Sequence, residues 1–362
     1  MEKIQVIETV LCPPGITVNC NHARSAVNAI AIVTGKSWQE IVKNLVEQSH
    51  KRVNLPTYHT CITDVLRENG FMPLGNQFYS ISKLMEEADL LNDKAKFIVK
   101  TSCRGYFALI PNEGDEYVIR GHKAGFPTYI SNCAIDEAWL YREGMDFKTG
   151  IYKKSKKHRE EPKDVGKLKF ENMNPEDKYI GDCVIRGLSA AYKCTWHEAI
   201  DYIAQANNYT DPVLNITPNI NLALLKLGFE RHREIKRGNK LLTGKQFCDL
   251  MNHSYHDGER IFAYVGKSHC AAILPFEENG STVYKIQDTW DSTSRTIREY
   301  WVYKEKKPTQ TRTRFAQITS LNINDIVTHP HFGKGTIVSE QKSGASRILE
   351  IDFENSILFF NL

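Results

Sequence analysis

No stretch of this sequence approaches the run of about 18 apolar residues that a membrane-spanning helix requires. The opening residues, Met1-Glu2-Lys3-Ile4, are followed by mixed chemistry and not by the apolar core of a secretory signal. An excess of charge of one sign is also missing. The 47 basic and 43 acidic side chains leave +4, too little to argue for nucleic acid or a membrane surface as partner. No glycine-rich loop of the phosphate- or dinucleotide-cradling kind occurs, which disfavours ATP and nicotinamide chemistry. The cysteines number nine, an odd count, and none are spaced as CxxC. They read as reduced thiols and not as a disulfide framework. His253 and His256 are three apart, yet no nearby cysteine or acidic cluster completes a tetrahedral set. No metal and no cofactor is expected, and the expected compartment is the cytoplasm.

What is present is a chain of 362 residues, 41% hydrophobic and 25% charged, the balance of a globular protein with more than one core. Its most telling feature is a repeat. Trp38 and Trp196 lie 158 positions apart, and Ile62, Leu66 and Gly70-Phe71 meet Ile220, Leu224 and Gly228-Phe229 in the same register. Extending the alignment sets Cys183 against Ser25, His269 against Tyr106 and Asp288 against Gly121. The expected organisation is a first copy over 1–142, a charged linker over 143–173 and a second copy over 174–303. A basic linker over 304–317 and a C-terminal unit over 318–362 follow. The lysine-rich runs at 152–159 and 304–314 read as solvated linkers.

Within each copy the pattern places helices first and strands afterwards. Ala26, Ile30 and Val33, and then Val184, Leu188 and Ala191, recur at helical spacing. Further helices are expected over 198–206 and 220–227, the latter stopped by Gly228. Strands are expected over 260–265, 270–274 and 283–287, giving an α+β fold.

Three residues of the second copy carry chemistry when taken together. Cys183 opens a helix, where free N–H groups and the helix dipole favour a thiolate, with Asp182 as N-cap. His269 opens a strand and Asp288 ends the next, so antiparallel neighbours bring the carboxylate beside the imidazole. Asp291 is the rival for the third place. Cys194 and Cys270 read as core thiols. In the first copy, Cys20 with His22, His59 or His122 is an alternative only if the register shifts by five residues; otherwise Ser25 has no base.

This order of Cys on a leading helix, His at a strand start and Asp after the following strand resembles that of the papain-like cysteine peptidases. The segment Asp182-Cys183-Val184-Ile185-Arg186, with a Trp ten residues beyond, is similar to one found in small bacterial and phage proteins. The resemblance covers 181–303 and implies tandem papain-like domains, the first degenerate. It assigns Cys183 as nucleophile, His269 as general base and acid, and Asp288 as the orienting residue. Many such enzymes place a Gln several residues before the nucleophile; 174–182 holds none, leaving the Cys183 N–H as one oxyanion donor and Asn174 or Lys178 as weak candidates for another.

The C-terminal stretch Asp325, Val327, His329-Pro330, Phe332-Gly333 and Gly335, with the later Leu349-Glu350-Ile351-Asp352-Phe353, resembles the small SH3-like (Tudor-like) barrel of UvrD-type helicases. There it contacts protein partners, RNA polymerase among them, which implies a protein-binding adaptor here. Gly333 and Gly335 suit a tight turn, Ile337, Val338, Ile351 and Phe353 suit a barrel interior, and His329 and His331 belong to a loop. The resulting expectation is a cysteine peptidase or amidase with a protein or peptide substrate. A non-catalytic binding scaffold and an acyltransferase using the same three groups are the alternatives.

Overall fold

The computed structural model describes residues 5–14, 16, 18, 21–74, 80–89, 95–101, 105–112, 117–121, 133–145, 147, 164–253, 258–304, 323–329, 333–343, 346–353 and 356–361. Cys20, His122, His256, Pro330, His331, Phe332 and the basic runs at 152–159 and 305–314 lie outside the described residues. The chain forms two compact units, Met1–Lys304 and Glu305–Leu362.

The larger unit begins with β1 (Gln5–Glu8), α1 (His22–Thr34), α2 (Trp38–Arg52), α3 (His59–Glu68), β2 (Phe71–Pro73) and α4 (Ile81–Asp89). Strands β3 (Phe97–Thr101), β4 (Gly105–Pro111), β5 (Tyr117–Gly121) and β6 (Ile135–Tyr141) complete the first copy. The second repeats the order with β7 (Leu168–Phe170), α5 (Cys183–Tyr192), α6 (Trp196–Ala206), α7 (Thr217–Lys226) and β8 (Glu230–His232). A ribbon of β9 (Lys236–Arg237) and β10 (Lys240–Leu241) precedes α8 (Gly244–His253), β11 (Arg260–Val265), β12 (His269–Glu278), β13 (Ser281–Asp288) and β14 (Ile297–Tyr303). The architecture is mixed α/β. Each copy builds a six-stranded sheet with matching neighbours, β1-β5-β4-β3-β6-β2 and β7-β13-β12-β11-β14-β8. Both edges break the antiparallel pattern in the same way, for β1 runs parallel to β5 and β7 parallel to β13.

The repeated residues have local physical reasons. Trp38 and Trp196 each occupy the first helical position after a capping box, Ser37 with Glu40 and Thr195 with Glu198. Each box satisfies helix-end N–H groups reciprocally, a cap contribution of about 0.5–2 kcal/mol. Gly70 and Gly228 both take φ of 86°, a conformation that suits glycine, and turn the chain from helix toward strand.

One correspondence needs correction. Thr101 pairs with Gly105 across the β3–β4 turn, as Val265 pairs with His269 across the β11–β12 turn. The counterpart of His269 is therefore Gly105, and Tyr106 matches Cys270. A one-residue slip in a strand moves a side chain to the other face, and Tyr106 indeed packs on the helices α1 to α3 as Cys270 packs on α5 to α7. Asp288 does match Gly121. Ala272 pairs with Gln287 as Ala108 pairs with Arg120, one residue earlier in each strand.

One buried cluster draws on both copies. Val46, Val53 and Leu55 of the first join Ile200, Ile203 and Leu214 of the second in a single buried cluster. Polar contacts flank it: the Arg24 guanidinium grips Asp211 with Nε at 3.0 Å and Nη2 at 2.7 Å, and Trp38 Nε1 donates to the Thr210 carbonyl at 2.8 Å.

The smaller unit is an antiparallel sheet of β15 (Ile326–His329), β16 (Gly333–Ser343), β17 (Ser346–Phe353) and β18 (Ser356–Asn361) in that order. Ile337, Leu349 and Ile351 are buried. Val338, expected in the interior, is exposed, because the register shifts between Ile337 and Ser339. Gly333 pairs with His329 at the start of β16, whereas Gly335 lies inside β16 opposite Val327.

Candidate active site

Cys183 is the first residue of α5, so its main-chain N–H has no acceptor one turn back within the helix. Helix α5 packs on β12, and this brings the thiol to His269 and Cys270 at the start of that strand. Asp288, at the end of the adjacent β13, has its Oδ2 2.6 Å from His269 Nε2. A carboxylate only accepts, so Nε2–H is the donor and Nδ1 remains for the thiol. The carboxylate is itself held: Oδ2 accepts from Ser292 Oγ at 2.6 Å and Oδ1 from the Thr289 N–H at 2.7 Å. Asp288 and Ser292 are both buried, and the Trp290 ring lies over the imidazole with centroids 5.0 Å apart.

The electrostatics follow from these contacts. Hydrogen bonding with the Cys270 thiol is the largest influence on Cys183; burial opposes it, while the hydrogen bond and charge of His269 and the Cys270 main chain add to it. The result is a thiol brought down to about 4. For His269, burial disfavours the cation, but hydrogen bonds to Asp288 and Cys183, and their negative charges, push its pKa up to about 9. The site therefore holds a thiolate beside an imidazolium at neutral pH. Cys270, raised well above an ordinary thiol by Cys183 and by burial, stays protonated and can donate.

Several other residues sit differently from expectation. Asp182 occupies the cap position but makes no side-chain capping bond. Its fully buried carboxylate instead accepts from Trp196 Nε1 at 2.8 Å and Asn174 Nδ2 at 3.0 Å, and pairs with Arg186 at 2.8 Å. Asn174 is thereby committed away from the thiol. Lys178 is too, bonding the Arg52 carbonyl and Glu176 at 2.6 Å each. A different polar group lines the cavity at Cys183: Gln287, opposite Ala272 on the sheet face that α5 covers. Asp291, the rival carboxylate, accepts from the Thr293 N–H and hydroxyl in an exposed turn. Burial pushes the Cys194 and Cys248 thiols up to about 12. His253 Nδ1 bonds the Asp249 carbonyl one turn back.

Reading residues singly does not single out Ser292 or Gln287. Cys270 is the core thiol the apolar strand implies, and what the strand pattern does not show is that it also lines the cavity at Cys183. Ser292 carried a usable signal, an oxygen donor four residues after the carboxylate it holds.

The first copy lacks this arrangement for identifiable reasons. Helix α1 starts three residues earlier relative to the repeat, so the Ser25 N–H is consumed by the Asn21 carbonyl at 3.0 Å. Ser25 Oγ donates to the His22 carbonyl and accepts from the Tyr106 N–H, both at 3.1 Å. A Cβ on Gly105 would stand 2.4 Å from Ser25 Oγ, leaving no room for an imidazole there. His59 is engaged elsewhere, with Glu137 at 3.1 Å. Ser25 is buried, so Ser25→Cys in a Cys183→Ser background is expected to label with iodoacetamide only at pH values above the ordinary thiol midpoint of about 8.5. Peptide mapping that finds rapid labelling of the introduced thiol near pH 6 would refute this.

Among the described residues no helix is long and apolar enough to cross a membrane. No family model, curated protein or solved structure matches this chain.

Proposed function

We propose that the second copy is a papain-like cysteine hydrolase, a peptidase or amidase, working through a thiolate acyl-enzyme. The observation that carries this reading is the continuous line from Asp288 through His269 to Cys183, with the thiol at about 4 and the imidazole at about 9. In the proposed cycle the thiolate attacks a carbonyl carbon and the free N–H of Cys183 receives the oxyanion. The imidazolium then protonates the departing amine, and the neutral imidazole takes a proton from the water that releases the acyl group. Gln287 offers a carboxamide in the same cavity as a second oxyanion donor. The first copy is a non-catalytic tandem papain-like domain in this scheme. The C-terminal sheet, read as an SH3-like barrel, is an adaptor for a protein partner.

Labelling with iodoacetamide tests the thiolate without a known substrate. Cys183 is expected to react already near pH 6, well ahead of Cys194 and Cys248, and to hold its rate on a plateau above about pH 4. Labelling of Cys183 no faster than Cys194 would overturn the enzyme reading.

A further inference from the structure

Catalysis through Cys183 and His269 does not require a second thiol, yet Cys270 belongs to the buried cluster that Cys183 packs against and lines the same cavity. The two sulfurs come from different elements, the first residue of α5 and the second of β12, and both residues line the same cavity. At the matching positions of the first copy the strand start also lies against the helix residue, with the Tyr106 main-chain N 3.1 Å from Ser25 Oγ. The pair is also unequal. Cys183 is partly exposed, whereas Cys270 is buried behind it.

We propose that Cys183 and Cys270 form a peroxide-modification site, in which Cys183 is oxidised first and Cys270 resolves it as an intramolecular disulfide. The Cys183 thiolate attacks one oxygen of a hydroperoxide such as hydrogen peroxide. An S–O bond forms, the O–O bond breaks, and the departing hydroxide takes a proton from the His269 imidazolium to leave as water. Cys183 is then a sulfenic acid. Cys270 gives up its proton to solvent, and its sulfur attacks the Cys183 sulfur. An S–S bond forms, the S–O bond breaks, and the second hydroxide leaves as water with a proton from solvent. The net change is two thiols and one hydrogen peroxide to one disulfide and two waters. A dithiol reverses it by thiol–disulfide exchange. The bond ties up the nucleophile while sparing it from sulfinic acid, which a dithiol does not reduce.

This inference rests on the proposed thiolate at Cys183 but not on any hydrolysis. The full chain is treated with hydrogen peroxide, free thiols are blocked, and peptides are mapped by mass spectrometry with and without prior dithiothreitol. The expected product joins the Cys183 and Cys270 peptides with the loss of two hydrogens, and dithiothreitol restores iodoacetamide labelling of Cys183. In Cys270→Ala the same treatment is expected to carry Cys183 to sulfinic acid, without recovery. Cys270→Ser, with circular dichroism on both variants, provides the same comparison if the alanine variant does not fold. Wild-type Cys183 reaching sulfinic acid, or pairing with a different cysteine, overturns the proposal. If Cys183 labels rapidly near pH 6 but forms no disulfide with Cys270, the modification site fails alone. If it does not label rapidly, the hydrolase reading fails with it.

Discussion

In His269→Ala, the alkylation of Cys183 is expected to lose its plateau at neutral pH and to climb with pH instead. The wild-type thiol, near 4, is almost wholly ionised at pH 6. Removing the imidazolium withdraws one hydrogen bond and the positive charge that favour the thiolate, so its midpoint moves up toward the ordinary value of about 8.5. A thiol with that ordinary pKa is ionised only to about one part in 300 at pH 6. The Cys270 contacts remain, so the midpoint should settle between the two limits. A more basic thiolate is also a better nucleophile, which offsets part of the lost rate. The shape of the profile therefore decides the matter, and an unchanged midpoint would show that His269 does not act on Cys183. On the proposed mechanism hydrolysis should suffer more, by about 10²–10⁴-fold, because the imidazole would also move protons to the leaving group and from water. The activity profile of the wild type should be bell-shaped. Its acid limb lies near 4, where the thiolate is protonated, and its alkaline limb near 9, where the imidazolium loses its proton.

The second large effect is on stability. Asp182→Ala is expected to destabilise the protein by about 3–5 kcal/mol, the range for removing one partner of a buried ion pair. The carboxylate is fully buried and Arg186 nearly so. Its loss strands the guanidinium and also the Trp196 indole N–H and the Asn174 amide, which both donate to Oδ2. Burial already raises the Asp182 pKa, with Arg186, Asn174 and Trp196 holding it back. Asp182→Asn keeps an oxygen acceptor and should fall between. Urea unfolding of the three proteins measures this, and a loss under about 1 kcal/mol for the alanine variant would mean that Arg186 finds another partner. Because Asp182 precedes Cys183, slower labelling of Cys183 in Asp182→Asn would report a shifted helix start.

The sequence made some of this legible because the relevant signals are local. A helix beginning at Cys183, a strand beginning at His269 and a strand ending at Asp288 are readable from spacing and flanking residues. The pairing of β12 with β13 then makes the carboxylate and imidazole neighbours. The capping boxes that follow Ser37 and Thr195 were equally local, and they explain why tryptophan recurs where it does. Other features depend on distant parts of the chain. Strands β1 and β7 are only four and three residues long and owe their place to parallel partners more than a hundred residues away. The match of His269 to Gly105 depends on a turn register that similarity along the chain misjudged by one residue. Helical spacing marks Val46 as buried, but nothing in spacing says that it is buried against the other copy.

That shared cluster divides the constraints on the first copy. Around Ser25, Gly105 and Gly121 there is no imidazole or carboxylate to hold in place, and substitutions there answer to local packing. Along Val46, Val53 and Leu55 the opposite holds, since these side chains form part of the wall behind Ile200 and Ile203. Arg52 and Tyr58 extend the obligation to the segment that leads into Cys183, through Lys178 and the Gly181 N–H. A mutation in the copy without a triad can therefore impair the copy with one, and the two halves cannot drift as independent genes would.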